Sequence, residues 1–360
     1  MRRIPTKYLK EGSIVATDIY DSLGRLLIKS GSEINEKSIK ALNSYNILSV
    51  YIIDEFTQDV VKDVISLELR LKAILSLKKM AYEFSMIEED KRKKTIRENY
   101  ILQIKDIVSE IINELSGKEA LIEQIDIRSL ENFNYSHSVN VAIISIILGI
   151  ELNFDREKLM KLGISAILHE IGKSFLPKEL VFKTTELTPE EEKLLESHCA
   201  LGYEYLSKYG SIDDEICLPV LQHHEKIDGT GYPNKLKEDK ISEFSKVIAL
   251  ADFYDELMSS GYMLREDLPS NILEQIMSYV GSSFEHSLVK VLFSKVKPFL
   301  KGTLVRLSNG DIARVEGTIK GAPLRPLVKV IKSNMDERIN KYINLVDKLD
   351  ISIVELVYYV

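Results

Sequence analysis

Histidine and acidic side chains are concentrated in one part of the sequence. Five of the six histidines lie between positions 137 and 224, and only His286 lies outside this segment. In the stretch AILHEIGK an apolar run ends in an adjacent histidine and glutamate, with Lys173 shortly after them. Asp252 follows another apolar helical stretch, where an unpaired charge would be costly to bury. The candidate metal ligands are therefore His137, His169, Glu170, His198, His223, His224 and Asp252.

This set of side chains predicts a dinuclear metal site. It is too large for one tetrahedral ion, and it suits about two five- or six-coordinate ions that share a carboxylate. Imidazole and carboxylate ligands together favour Fe, Mn, Ni or Zn over Mg or Ca. Two such ions can hold a bridging hydroxide at neutral pH and clamp the oxygens of a phosphodiester. Lys173 could then neutralise charge on the phosphoryl oxygens.

Single histidines have simpler explanations. His137 on an apolar helix could be a hydrogen-bonded core residue, and His198 could lie on a helix surface. The adjacent pair His223 and His224 is harder to explain in this way, because the loop DGTGYP follows it. Two glycines in this loop allow the backbone to turn tightly. The clustering of all these residues favours the metal site.

Composition is that of a globular protein long enough for two or three domains. The chain has 360 residues, of which 45% are hydrophobic and 29% are charged. The apolar run Val141–Ile150 is too short to cross a bilayer, and MRRIPTKYLK lacks the apolar core of a signal peptide. We therefore expect a cytoplasmic protein without a membrane span.

Charge and cysteine content argue against a nucleic-acid-binding protein and against a fold held by disulfides. The net charge of −7 disfavours binding to a nucleic acid polymer. Cys199 and Cys217 form neither a CxxC pair nor a disulfide framework, so we expect two small buried side chains and no need for an oxidising compartment.

The elements that must position these residues are mainly helices. Residues 1–55 predict a small α/β domain, and residues 56–119 predict a helical arm without chemistry of its own. Residues 120–300 are rich in helix signals, including a capping box from Thr188 to Glu191 with Pro189 at the first helical position. Residues 301–360 predict a β-rich module, with a hairpin whose Asn309-Gly310 pair suits a type I′ turn. The fold class is mainly α.

The order of these motifs resembles the HD-GYP subgroup of the HD-domain metal-dependent phosphohydrolases. The resemblance depends on H137, HEIGK, H198, HHEKIDGTGYP and ADFYD, and it spans residues 120 to 300. It implies an all-helical core that hydrolyses the second messenger cyclic di-GMP to pGpG or onward to GMP. It also implies bound metals, most often Fe or Mn, held by the seven candidate ligands. Glu170 and Lys173 would act in catalysis, and the substrate wall would include Lys173, Asp228, Gly229, Gly231, Tyr232 and Pro233.

The sequence departs from the family pattern at three positions. Glu170 replaces the family's aspartate, and its extra methylene moves the carboxylate by about 1.5 Å where a metal site tolerates about 0.5 Å. Gly261 occupies the position of an arginine expected to bind a substrate phosphate, a contact worth roughly 1.5 to 3 kcal/mol. Phe133 replaces a glutamate that some members use for a third metal, so we expect two ions.

Three functions remain open at this stage. The chain could be a cyclic di-GMP phosphodiesterase, a catalytically weakened sensor or protein-interaction module, or a general nucleotide phosphohydrolase. The helical arm could form a homodimer, or its apolar positions could pack on the chain's own core.

Overall fold

The computed structural model describes residues 1–57, 63–85, 92–118, 120–122, 132–183, 185–209, 212–259 and 268–360. Gly261, the position where the resemblance implies an arginine, lies outside these ranges. The described chain is mainly helical, with a small sheet-containing module at each end, which confirms the predicted fold class.

The amino-terminal module combines short antiparallel strands with one helix. Its strands are β1 (Arg2–Pro5), β2 (Ile14–Val15), β3 (Ile19–Tyr20), β4 (Leu26–Ile28) and β5 (Ser49–Ile53). One sheet has the order β1-β5-β2, and β3 pairs with β4. Helix α1 (Glu36–Ser44) begins after Asn35, whose side chain accepts a hydrogen bond from the Ser38 amide. The predicted strand SIVATDIYD is thus divided into two strands with different partners.

The central region contains the helices that carry the histidine cluster. They are α2 (Leu67–Ser85), α3 (Arg92–Leu115), α4 (Phe133–Glu151), α5 (Arg156–Leu168), α6 (Lys178–Val181), α7 (Pro189–Glu196), α8 (His198–Tyr209), α9 (Asp214–Gln222), α10 (Glu243–Leu257), α11 (Pro269–Ser278) and α12 (His286–Lys295). A 3-10 turn, Ile171–Phe175, follows α5. The predicted capping box is confirmed at the start of α7, where Thr188 and Glu191 each accept a hydrogen bond from the other's backbone amide.

Helix α4 lies at the centre of the largest apolar core. It packs against α2, α5, α10 and α12, and most of its residues are buried. By length and composition alone it could cross a membrane, but 72% of its apolar window lies inside the fold. Its hydropathy is therefore explained by its central position in the core.

The arm helices α2 and α3 pack on the chain's own core. Leu69, Leu77 and Met80 of α2 are buried with Ile104 and Ile111 of α3 in the same cluster as α4. This corresponds to the second of the two alternatives for their apolar positions. A homodimer through the arm stays a prediction.

The carboxy-terminal module is a five-stranded antiparallel sheet. Its strands are β6 (Leu304–Leu307), β7 (Ile312–Ile319), β8 (Ala322–Lys332), β9 (Tyr342–Asn344) and β10 (Ile353–Leu356), in the order β10-β6-β7-β8-β9. The predicted β6–β7 hairpin is confirmed, but the type I′ turn is wrong. Gly310 has a φ of 88° while Asn309 is not among the residues with positive φ, and the Asn309 side chain instead accepts a hydrogen bond from the Asp311 amide.

The two end modules contact each other. Tyr358 and Tyr359 pack against the buried cluster of the amino-terminal module that contains Ile4 and Val50. Tyr8 stacks on Tyr358, with 5.0 Å between their ring centroids. The first and last described segments therefore share buried surface.

Candidate metal centre

The candidate ligands lie mostly at helix ends. His137 and Asp252 are inside α4 and α10, whereas His169 ends α5 and Glu170 begins the 3-10 turn. The remaining ligands are His198 at the first residue of α8 and His223 and His224 directly after α9. Helix ends suit a metal site because the chain can change direction there and place consecutive side chains around one point.

The structure brings all seven candidate ligands together in two adjacent groups. One group contains His137, His169, Glu170 and Asp252, and the other contains His198, His223, His224 and Cys199. Within each group the potential ligand atoms all lie within 4.8 Å of one another. The groups face each other, because His198 Nε2 lies 3.8 Å from Glu170 Oε2 and His224 Nδ1 lies 3.8 Å from Asp252 Oδ2.

Backbone carbonyls fix the orientation of three imidazoles. His169, His198 and His223 each donate an Nδ1 hydrogen bond to the carbonyl three residues earlier, at 2.7, 2.7 and 2.9 Å. In a neutral ring the proton is then on Nδ1, and Nε2 presents a lone pair to the centre. Metal-binding histidines are oriented in the same way.

The burial of these groups fits a bound cation. His169 Nε2 and Glu170 Oε2 are buried and have no hydrogen-bond partner among the described residues. Burial lowers the pKa of His198 and His223, and it lowers the pKa of His224 to about 3. The three imidazoles are therefore neutral at pH 7, the form that binds metal. The donor set fits a pair of divalent transition metals.

His137 is held between two carboxylates. Its Nε2 lies 2.9 Å from Asp252 Oδ1 and its Nδ1 lies 2.8 Å from Asp255 Oδ2. Burial lowers the pKa of His137, but the hydrogen bonds to Asp252 and Asp255 outweigh this effect and raise it to about 10. Burial likewise raises the pKa of Asp252, and the hydrogen bond from His137 brings it well below its usual range.

A polar chain links His137 to the helical arm. Asp255 Oδ1 accepts a hydrogen bond from Asn140 Nδ2 at 3.2 Å, and Asn140 Oδ1 accepts one from Arg70. Arg70, which is 5% exposed, also forms an ion pair of 2.6 Å with Asp63. The sequence predicted an arm without chemistry of its own, so this hydrogen-bonded link to His137 was not expected. Asn140 lies one helical turn after His137, and Asp255 one turn after Asp252, so this spacing was the available signal.

Glu170 is bound to Lys173 on one side. Lys173 Nζ lies 2.7 Å from Glu170 Oε1, while Glu170 Oε2 faces His198. Burial raises the pKa of Glu170, but the attraction of Lys173 and then of the neighbouring histidines holds it well below its usual range. The carboxylate is therefore ionised and available to a metal.

Gly172 allows the 3-10 turn to approach α8. A Cβ atom at this position would lie 1.9 Å from the carbonyl oxygen of His198 and 2.8 Å from the Gly202 amide nitrogen. Only glycine fits such a contact. This explains the glycine in AILHEIGK, since the close approach places Glu170 beside His198.

The glycine-rich loop folds back onto His224. A Cβ at Gly231 would lie 2.5 Å from the His224 carbonyl oxygen, and the Tyr232 ring lies 4.7 Å from the His224 ring at an interplanar angle of 31°. Glu225 holds the loop by accepting hydrogen bonds from two loop amides. Gly229 has a φ of 84°, as a tight turn requires.

Asp228 and Pro233 are exposed parts of the same loop. Asp228 Oδ1 accepts hydrogen bonds from the Thr230 amide and hydroxyl at 2.8 and 2.7 Å. These bonds shape the turn, so the Asp228 carboxylate is engaged within the loop and lies outside both ligand groups. Pro233 follows Tyr232 through a cis peptide bond.

A cavity that the sequence did not predict lies between the arm and the centre. Its volume is about 430 Å³, within the usual range for small-molecule sites. Glu170 and Lys173 form part of its wall, and Tyr82 and Lys79 of α2 contribute with Tyr135 of α4. Little in the sequence indicated this cavity, because its aromatic and basic residues follow ordinary helical spacing.

The remaining histidine lies apart from the centre. His286 is exposed at the first residue of α12, on the helix surface. Both cysteines are buried, as expected, but Cys199 lies in the second ligand group.

Family models match two parts of the chain. Residues 120–288 match the HD domain, and residues 304–358 match the KOW domain associated with HD domain. The match to the HD domain covers the helical region that carries the histidine cluster. HD-domain phosphohydrolases use divalent metals, in agreement with the donor set described above.

This HD domain is homologous to cyclic di-GMP phosphodiesterases of the HD-GYP type. The chain is 29% identical over 204 residues to cyclic di-GMP phosphodiesterase PdeB of Borreliella burgdorferi, covering 56% of this chain and 53% of the relative. It is 27% identical over 266 residues to cyclic di-GMP phosphodiesterase PA4108 of Pseudomonas aeruginosa, covering 74% of this chain and 64% of the relative. The chain thus spans between half and two thirds of the length of these relatives.

One solved structure shares the overall fold. Bd1817, a HDG"Y"P protein from Bdellovibrio bacteriovorus, aligns with a TM-score of 0.51 at 16% identity. The alignment covers 81% of this chain and 97% of that one, so the likeness includes more than the HD domain.

Proposed function

We propose that the protein is a metal-dependent phosphodiesterase that hydrolyses cyclic di-GMP to pGpG, GMP or both. The observation that carries this proposal is the meeting of two buried ligand groups beside the Lys173 ammonium. The names of the homologous phosphodiesterases support the choice of substrate. In this proposal residues 120–300 form the catalytic domain. It is surrounded by the arm at 56–119 and by the two end modules at 1–55 and 301–360.

The two ligand groups would hold two divalent transition-metal ions, with Fe or Mn expected first and Zn or Ni as alternatives. The protein ligands would be His137, His169, Glu170, His198, His223, His224 and Asp252. When bound, such ions polarise phosphoryl oxygens and make a water molecule more acidic. The backbone carbonyls that accept from Nδ1 keep His169, His198 and His223 ready to bind without reorientation.

Side chains around the centre would bind the dinucleotide. Lys173 has 27% of its side chain exposed, so its ammonium can reach a phosphoryl oxygen while it contacts Glu170. Tyr232, stacked on His224, forms one wall. On the other side, Tyr82 and Tyr135 border the 430 Å³ cavity and offer aromatic faces on which a guanine base can stack.

A direct assay tests this proposal. The full chain, purified without oxygen, is analysed for metal and incubated with cyclic di-GMP, and the products are separated by chromatography. We expect about two ions per chain and linear product, and neither in a His223→Ala variant. Turnover of mononucleotides with no linear dinucleotide product would instead indicate a general nucleotide phosphohydrolase.

The second candidate is a sensor or protein-interaction module with weakened catalysis. The observation in its favour is the ion pair between Glu170 and Lys173. In this pair one carboxylate oxygen of Glu170 and the ammonium group of Lys173 already bind each other. Cyclic di-GMP that binds the metal-loaded chain but is never cleaved, with any of the four metals, would favour this candidate over the enzyme.

A further inference from the structure

Cys199 lies among the ligands of the second group. It is the second residue of α8 and is completely buried, directly after His198. Its Sγ lies 3.4 Å from His198 Nε2, and it belongs to the group whose potential ligand atoms are all within 4.8 Å. The sequence alone predicted only a small buried side chain at this position.

Two separations within this group are close to those of ligands around one ion. With metal–nitrogen bonds of about 2.0–2.1 Å and a metal–sulfur bond of about 2.3 Å, tetrahedral ligands lie about 3.4 Å apart for two nitrogens and about 3.6 Å for nitrogen and sulfur. The observed separations are 3.2 Å between His198 Nε2 and His223 Nε2, and 3.4 Å between Cys199 Sγ and His198 Nε2. Both are close to these values.

The two facing imidazoles also require a cation. Because His198 and His223 both donate from Nδ1, neither neutral ring carries a proton on Nε2. Two nitrogen lone pairs 3.2 Å apart repel each other in a buried site. Beside them, His169 Nε2 is buried without a hydrogen-bond partner in the part of the chain that the structure describes. A positive charge between these atoms removes the conflict.

We propose that Cys199 is a metal ligand, so that its thiolate joins the imidazoles of His198, His223 and His224 around the ion of the second group. This rests on the proposed metal centre and gives it a sulfur ligand. On binding, the S–H bond breaks, a metal–sulfur bond forms and the proton passes to solvent.

A sulfur ligand makes the two metal positions chemically different. Thiolate with imidazole favours Zn²⁺ or another soft divalent ion, whereas Mn²⁺ prefers oxygen. The other group has two carboxylates and two imidazoles, from Glu170, Asp252, His137 and His169. The centre is then selective for unlike ions, with the softer one beside Cys199.

Cys217 provides a matched control. It is also buried, on α9, but its Sγ lies 4.0 Å from the Ile212 carbonyl oxygen and it belongs to neither ligand group. Substituting serine at either position removes one thiol from the same fold.

Cobalt substitution tests the proposal directly. The full chain is stripped of metal and titrated with Co²⁺, and sulfur-to-cobalt charge transfer is recorded in the near ultraviolet. We expect the band in the wild type and in Cys217→Ser, and its loss in Cys199→Ser. No band in the metal-loaded wild type, or a band that persists in Cys199→Ser, would overturn the proposal.

X-ray absorption on the wild type with Zn²⁺ gives the same answer without any variant, which covers the case in which Cys199→Ser does not fold. One sulfur at about 2.3 Å is expected, and a shell of only nitrogen and oxygen overturns the proposal. Hydrolysis of cyclic di-GMP is measured on the same samples. An active protein without sulfur ligation leaves the phosphodiesterase standing and removes Cys199 from the centre.

Discussion

Glu170 divides its two carboxylate oxygens between different neighbours. Oε1 lies 2.7 Å from the Lys173 ammonium, and Oε2 lies 3.8 Å from His198 Nε2. If Glu170 bridges two ions, Oε1 must serve a metal as well as Lys173. In the proposed phosphodiesterase, we therefore expect the rate of hydrolysis to depend on how this one side chain is shared.

Substitutions of Glu170 distinguish the effect of its negative charge from the effect of its side-chain length. We expect Glu170→Gln to abolish hydrolysis and weaken metal binding, because an amide supplies one neutral oxygen where two ions need a shared negative charge. Glu170→Asp should keep or raise the rate if only the reach differs. Metal content and the turnover number are measured for both variants. A Glu170→Gln variant with wild-type metal content and rate would show that Glu170 is not a ligand.

Histidine variants test the ligand set. His223→Ala and His224→Ala should each lose bound metal, because each removes a neutral imidazole from the second group. His286→Ala should not, because this residue is exposed on α12, away from the centre. Elemental analysis of the three purified variants gives the answer. Equal loss of metal in all three would contradict the assignment.

The clustering of the seven candidate ligands could be predicted because histidine and buried carboxylate are rare side chains whose cost must be offset by a partner. The positions of Cys199 and Arg70 beside this cluster could not be predicted in this way. A cysteine is ordinary in a core, and an arginine is ordinary on a helix, so the roles proposed for them depend on the three-dimensional distances. The glutamate at 170 was visible in the sequence, but its pairing with Lys173 was not.

At the scale of elements, α2, α4 and α10 are joined by polar contacts as well as by the core. The chain Arg70, Asn140, Asp255 and His137 crosses all three helices, and each link is a direct hydrogen bond. Periodicity predicted the helices themselves, since it reports which face is buried. It does not report which polar residues meet on that face.

The polar chain predicts a distant effect on metal affinity. Arg70→Ala should weaken metal binding about 10- to 100-fold, the usual effect of removing support from a metal ligand, because Asn140 and Asp255 lose the group that orients them. Lys72→Ala on the same helix is the control, since Lys72 is exposed and forms an ion pair with Glu110. Metal affinity is measured by competition with a chelator. Equal affinities in both variants would show that the chain does not position His137.

At the scale of the whole molecule, bound metal should contribute to stability. The centre connects α4, α5, α8, α9 and α10, so metal that binds only the folded chain stabilises it, by about 2.7 kcal/mol at a free concentration one hundred times Kd. Removing metal with a chelator should lower the Tm of the wild type by several degrees. Scanning calorimetry should show no such change in His223→Ala, which has no metal to lose. An unchanged Tm in wild type stripped of metal would contradict this expectation.

The contact between the two end modules sets a rule for dissecting the protein. Tyr358 and Tyr359 pack against the amino-terminal core that contains Ile4 and Val50, and Tyr358 covers Tyr8, so the carboxy-terminal module shields part of the amino-terminal interior. Deleting only the carboxy-terminal module uncovers this apolar surface, and such a truncation should aggregate. Deleting both modules removes both sides of this interface, although it also removes Leu324 from the helical core on which it packs. The shorter form to test first is therefore one trimmed at both ends.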